Sequence, residues 1–262
     1  MCTIVALKGR SEEHALVVAA NRDEFYSRRA VAPRRVHEAP VAVAGIDVES
    51  GGTWMGANAH GVFVALTNQR QYEPPDPDRT SRGEIVFDAL AEVDVSSVDL
   101  LLETVDGREY NGFNLMYGDA SELRVAYARP DRARIEIESL GDGVWVLPND
   151  RIGSPDFPKA RRAHALADPL LAAPWEDTER ALHALLADHE RPPIAEVPPP
   201  PAGSRFTHEI LLHIQSLCVH TPVYGTRSST VLALGRGRVE RYLYADGPPC
   251  TAAFDDLTHL FG

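Results

Sequence analysis

Met1–Phe25 reads MCTIVALKGR SEEHALVVAA NRDEF. Cys2–Leu7 is apolar and β-prone, and Ala15–Ala20 (ALVVAA) is a second short apolar run that ends in the polar cluster Asn21, Arg22, Asp23 and Glu24. Two such runs around a polar turn predict an N-terminal hairpin with a charged end. Beyond it, Ser27–Arg35 is basic and broken by Pro33, and strands are expected near Val41–Ala44, Thr53–Gly56 and Gly61–Thr67, with Gly51-Gly52 and Asn58–Gly61 as turns. Gln71–Asp78 is loop. Thr80 or Ser81 then caps a helix with Glu84 at capping-box spacing, and a second helix is expected over Val98–Val105.

Asn111–Leu147 returns to strand patterns (FNLMYG, LRVAYA, ARIEIESL, GVWVL) separated by short turns, which predicts an antiparallel meander. Helical patterns resume at Lys159–Leu166 and Thr178–Asp188. The proline-rich stretch Arg191–Gly203 reads as a long extended loop, a candidate flap. A helix over Phe206–Ser216 and a hairpin of Ser229–Gly235 with Arg238–Tyr244 about a Gly-Arg-Gly turn close the chain. Connections between neighbouring strands are mostly too short for parallel crossovers, so the order implies an α+β fold in which helices cover antiparallel sheets, in one domain over residues 1–262.

Composition narrows the functions. Lys and Arg number 26 against 38 Asp and Glu, a net charge of −12, which opposes nonspecific binding to nucleic acid or an anionic membrane. No apolar run approaches the length of a bilayer span, and the N-terminus lacks a signal-peptide pattern; the expectation is a cytoplasmic chain with no integral membrane segment. The three cysteines, Cys2, Cys218 and Cys250, are an odd count that argues against a disulfide framework. The ten histidines show no ligand spacing, so no metal or cofactor is expected, and Gly51–Gly56 is followed by Ala57 where a phosphate loop needs Lys.

Cys2 carries the chemistry. Aminopeptidase removal of Met1 before a small second residue leaves a cysteine with a free α-amine, which titrates near pH 8 (about 7.7–8.0) and can act as general base toward its own thiol. Cys218, at a helix-to-strand junction, and Cys250, after Pro248-Pro249, read as structural. A thiol nucleophile needs oxyanion donors and a group that orients the amine. Polar residues at the ends of apolar runs are the candidates: Asn21, Arg22, Asp23, Asn68, Asn149, Asp150 and Arg227.

MCTIVAL at the start, NRDEF at Asn21–Phe25, GGTWMGAN at Gly51–Asn58, LTN at Leu66–Asn68, NGFNL at Asn111–Leu115 and YGTRSST at Tyr224–Thr230 together resemble the NRDE (transport and Golgi organization protein 2-like) family over nearly the whole chain. The resemblance implies an N-terminal-nucleophile hydrolase fold, a four-layer αββα sandwich, related to the bile-salt hydrolase and penicillin V acylase group. Carried over residue by residue, it implies Cys2 as nucleophile, Asp23 as the holder of its amine, Asn68 as the oxyanion-hole asparagine, Asn149 as a second active-site asparagine and Arg227 as a supporting arginine. One position departs: those hydrolases have an arginine directly before their Asn-x-Asp, where this chain has Ala20, and an arginine appears instead at Arg22. A two-residue move keeps the strand face and shifts the guanidinium by roughly 7 Å. Either Arg22 substitutes from its new position, or the scaffold does something other than hydrolysis.

Two functions follow. One is an N-terminal-cysteine hydrolase or acyl transferase acting on a small amide or acyl conjugate. The other, implied by the family's association with lipid homeostasis and haem trafficking, is a non-catalytic carrier of lipid, acyl-CoA or haem on the same fold. Trp54 and Tyr224, beside the motif segments, and Arg22 are the candidate ligand-binding residues.

Overall fold

The structure, a computed structural model, describes residues 2–204 and 206–262, with the side chain of Cys2 outside the described residues. In chain order its elements are β1 (Cys2–Lys8), β2 (Leu16–Phe25), β3 (Ala30–Glu38), β4 (Val41–Asp47), β5 (Met55–Asn58), β6 (Phe63–Asn68), α1 (Arg82–Leu90), α2 (Val95–Thr104), β7 (Phe113–Gly118), β8 (Leu123–Ala128), β9 (Glu136–Leu140), β10 (Gly143–Leu147), α3 (Pro158–Ala167), α4 (Trp175–Leu186), α5 (His208–His213), β11 (Tyr224–Gly235), β12 (Arg238–Ala245) and β13 (Asp255–Asp256).

Among the described residues, one sheet has the order β10-β1-β2-β11-β12-β13 and the other β3-β4-β5-β6-β7-β8-β9, and the paired strands are antiparallel throughout. Alternation along each strand builds the layers. On β1 and β2, Ile4, Ala6, Leu16, Val18 and Ala20 face the second sheet and pack with Met55, Ala57, Phe63 and Ala65. The intervening Val5, Leu7, Val17 and Ala19 face outward onto Phe157, Ala160 and Ala163 of the α3 region and Leu182 and Leu185 of α4. α1 and α2 cover the other sheet through Ile85, Val86, Val98 and Leu102 against Ala42, Val64 and Leu115. Helix, sheet, sheet, helix is the four-layer sandwich expected.

Five local expectations change. The polar cluster Asn21–Glu24 lies inside β2 rather than beyond it, because β11 pairs with that whole strand from Leu16 to Phe25. The basic segment Ser27–Arg35 contributes most of β3, an exposed edge strand; the register shift between Val31 and Arg34 brackets Pro33, whose missing N–H costs little at an edge bulge. The meander stops at β9: β10 crosses to the first sheet and pairs with β1, burying Val144 and Val146 beneath α3. Ser81 occupies the N-cap of α1 without a side-chain cap bond, whereas α2 begins earlier than its apolar pattern suggests because Asp94 accepts the Ser97 N–H.

Candidate active site

β2 carries the site on both faces. Asn21 and Asp23 point toward the helices, Arg22 toward the second sheet. The Asn21 side chain is fully used: Nδ2 donates to the carbonyls of Leu186 (2.8 Å) and Leu217 (2.9 Å), and Oδ1 accepts from the Ser229 hydroxyl (2.5 Å). It clamps the end of α4 and the segment before β11 to the sheet, so this asparagine is a scaffold residue and not an oxyanion donor.

Asp23 is fully buried. Its Oδ1 accepts from the Thr226 hydroxyl at 2.7 Å, and Lys159 Nζ, also fully buried, lies 4.0 Å from Oδ2. Thr226 Oγ1 in turn accepts the Val219 N–H at 2.9 Å, which aims its single proton at the carboxylate. Burial pushes the Asp23 pKa up; the Lys159 charge and the Thr226 hydrogen bond oppose it, and the net shift is upward.

Arg22 donates to Asp47 Oδ2 at 2.9 Å and stacks over the Trp54 ring at 4.4 Å, tying β2 to the end of β4 across the sandwich. Asp47 also accepts from Arg28 Nε at 2.7 Å and from the backbone N–H groups of Glu49 and Ser50. Burial would raise the Asp47 carboxyl, but the Arg28 hydrogen bond, the Ser50 amide and the two arginine charges outweigh it and hold it below the usual carboxylate range. The register decides where the displaced arginine sits: Ala20 is opposite Ile4, and Arg22 is the cross-strand partner of Cys2, with Ser228 on its other side. The two-residue move therefore brings the arginine level with Cys2 along the strands. The nucleophile expectation itself falls on the Cys2 side chain, outside the described residues.

Asn68 and Asn149 meet at the facing ends of β6 and β10. Asn149 Nδ2 donates to the Asn68 carbonyl at 2.6 Å, and the Arg70 N–H to the Asn149 carbonyl at 2.6 Å. Asn149 Oδ1 is buried with no hydrogen-bond partner among the described residues, an acceptor left available. Both asparagines line a cavity of about 700 Å³, within the usual range for small-molecule sites. Its walls are mostly apolar: Phe25, Tyr72, Phe206, Ile210, Val223 and Tyr224 among them. The Tyr224 hydroxyl donates to the Asp23 carbonyl at 2.7 Å, so this wall is continuous with the site. Trp54 does not join that wall; it lines a small void between the sheets beneath Arg22. Arg227 lies at the β11 bulge between Thr226 and Ser228, where its guanidinium donates to the Tyr26 carbonyl at 3.1 Å. Burial and the neighbouring Cys250 push the Cys218 thiol up to about 12, which makes it a poor nucleophile.

The family model described as Transport and Golgi organisation 2 matches residues 1–243. The chain belongs to the Transport and Golgi organisation 2 family. Among its family relatives, the Transport and Golgi organization protein 2 homolog of Bos taurus is 33% identical, covering 95% of this chain and 92% of that protein. Solved structures that share the fold include a mutant conjugated bile acid hydrolase from Clostridium perfringens (TM-score 0.59, 14% identical, 100% and 94% of the two chains) and penicillin V acylase from Agrobacterium tumefaciens (TM-score 0.51, 16% identical, 98% and 86%). This Transport and Golgi organisation 2 family member thus has the N-terminal-nucleophile hydrolase fold, and no helix among its described residues is long and apolar enough to cross a membrane.

Lys159, Thr226 and Asp47 were not among the expected site residues of this family member. Lys159 had a signal: it shares the buried stripe of α3 with Ala160, Ala163 and Ala167, where a cation needs a partner. Thr226 stands inside the YGTRSST stretch and Asp47 in no such motif, but the role of each is defined by a pairing across distant strands.

Proposed function

We propose that the protein is an N-terminal-cysteine hydrolase or acyl transferase whose substrate is a small amide or acyl conjugate with its apolar part in the cavity. The observation that carries the reading is the buried Asp23 carboxylate, held by Thr226 and Lys159 one residue beyond the Cys2 cross-strand partner and beside a mostly apolar cavity. With Met1 removed, the Cys2 amine lies along the register toward Asp23, which orients it as general base. The amine takes the thiol proton, the thiolate attacks the carbonyl carbon, and the oxyanion is met by the Asn68 side-chain amide and a backbone N–H. The proton passes to the leaving amine, and water or an acceptor amine then cleaves the acyl-Cys2 thioester. Asn149 Oδ1 suits a donor on the leaving group. The reading includes a cytoplasmic setting, in which thiols stay reduced.

The Arg22 guanidinium, engaged by Asp47 and Trp54, favours a second reading: a carrier for a lipid, an acyl-CoA or haem that uses the cavity without turnover. A panel of amides and thioesters of graded acyl length separates the two, read by product release and by intact mass for an acyl adduct on Cys2. The enzyme forms the adduct and loses turnover, but not ligand binding, in Cys2→Ala. A carrier binds without turnover, ignores Cys2→Ser, and loses binding when Phe25 or Tyr224 is altered.

A further inference from the structure

A second cluster lies behind the cavity wall, unused by the chemistry above. His189 follows α4, Cys218 and His220 sit in the segment before β11, and Cys250 lies in the turn after β12. One ligand atom from each residue falls within 4.8 Å of all the others. Cys218 Sγ is 3.8 Å from Cys250 Sγ and 3.5 Å from His220 Nε2, and His220 Nε2 is 3.3 Å from Cys250 Sγ. The His189 and His220 rings are 5.1 Å apart.

We infer that these four residues form a tetrahedral Cys2His2 site for a structural zinc ion. Zinc bonds of about 2.3 Å to sulfur and about 2.0–2.1 Å to nitrogen give a tetrahedron with S···S edges of about 3.8 Å and S···N edges of about 3.5 Å. The observed 3.8, 3.5 and 3.3 Å match three of its six edges, and the exposed His189 has the freedom to close the rest. The sulfurs are far beyond the roughly 2.05 Å of a disulfide. Hard-cation sites use oxygen, whereas this donor set of thiolate and imidazole suits zinc. Binding releases one proton from each thiol; two thiolates and the dication then sum to zero charge.

The location gives the ion a task. It staples three separate stretches: the end of α4 where the proline-rich loop departs, the Cys218–His220 segment, and the C-terminal turn. His220 lines the cavity, and Val219, between two ligands, donates to the Thr226 hydroxyl that holds Asp23. Zinc here fixes the wall of the substrate cavity and the partner of the site carboxylate without touching substrate. The site stands whether or not Cys2 turns over.

The test is metal analysis of the full-length protein purified under reducing conditions without chelator, followed by titration of the reduced, chelator-stripped protein with Zn²⁺ or Co²⁺ alone. The expected results are one zinc per chain, a visible Co²⁺ spectrum of tetrahedral intensity with thiolate charge-transfer bands, and a lower melting temperature after chelation that added zinc restores. Cys250→Ser and His189→Ala, both surface changes that spare the core, lose the stoichiometric metal or weaken its binding at least tenfold; Cys218→Ser does the same if it folds. A reduced protein that takes up no stoichiometric Zn²⁺ overturns the site, as does an octahedral Co²⁺ spectrum. So does unchanged zinc content in Cys250→Ser, or a Cys218–Cys250 disulfide whose reduction yields no metal binding.

Discussion

Replacing Lys159 by Met removes the cation 4.0 Å from Asp23 and leaves a side chain of similar reach in a fully buried position. Two charges at 4 Å attract by about 4 kcal/mol at an effective dielectric of about 20, and stripping one member of a buried pair typically costs about 3–5 kcal/mol. In a chain of this size about 1 kcal/mol shifts Tm by roughly 2–4 °C, so the variant should melt on the order of 10 °C lower at neutral pH. Its pH dependence is the sharper test. The Asp23 pKa is raised by burial, with Glu24 adding to the rise and Lys159 and Thr226 opposing it; Cys218 and His220 sense its charge from the adjoining segment. A carboxyl with a raised folded pKa contributes stability that is full below the unfolded pKa and is lost as pH rises through the folded pKa. Without Lys159 the folded pKa moves higher still, so the deficit against the parent protein grows from acid toward neutral pH. Differential scanning fluorimetry across that range measures it, and Asp23→Asn in the Lys159→Met background should recover much of the loss, making the double variant less destabilised than the sum of the singles. Equal melting at neutral pH, a deficit that does not shrink in acid, or strictly additive singles would refute the pairing.

Further outcomes are checked by the same kind of measurement. Asn21→Ala leaves two buried carbonyls and the Ser229 hydroxyl without their partner, each worth about 1–3 kcal/mol; chemical denaturation should show a multi-kcal/mol loss, and a change below about 1 kcal/mol would contradict the clamp. Asp47, held below the usual carboxylate range, contributes stability that is present above its unfolded pKa and lost as pH falls through its folded pKa. Asp47→Asn should accordingly flatten the acid limb of the stability curve, and an unchanged limb would show that the Arg22 and Arg28 pairs contribute little. A Cβ at Gly225 would lie 2.5 Å from the Val219 carbonyl oxygen and closer still to the Tyr26 hydroxyl. Gly225→Ala should cost about 1–3 kcal/mol by overpacking and loosen the Tyr224 wall of the cavity; ligand binding and Tm at parent levels would argue against so tight a contact.

Much of this architecture was legible because strands buried on both faces leave a direct trace. Ile4–Leu7 and Val17–Ala20 are unbroken apolar runs because Ile4, Ala6, Val18 and Ala20 fill the core between the sheets while Val5, Leu7, Val17 and Ala19 meet the helices, and the central strands of both sheets announce themselves in that way. What the pattern lacked was partnership. β10 has the composition of a fourth meander strand, and only its pairing with β1 moves it to the other sheet. β3 is basic, exposed and interrupted by Pro33, and it is a strand because β4 offers it an edge. The site divides in the same manner. Asn68 and Asn149 stood out as polar residues at strand ends, and the fold brings them together. Counted along β2 alone, Arg22 is two positions from the expected arginine, whereas the β1 register sets it opposite Cys2. Cys218, His220, Cys250 and His189 showed no ligand spacing because three separate segments deliver them, so nothing short of the tertiary structure could gather them.

The most direct measurement of the central claim is the reactivity of Cys2. Purified protein is pulsed with limiting iodoacetamide from about pH 6 to about pH 9, and the N-terminal, Cys218 and Cys250 peptides are followed by mass spectrometry. An N-terminal nucleophile oriented by Asp23 predicts that Met1 is absent and that Cys2 alkylates faster than the other two cysteines, with a midpoint below the usual thiol pKa of about 8.5. Retained Met1, or a Cys2 that reacts no faster than Cys250, would contradict it and leave a hydrolase fold serving the cavity as a carrier.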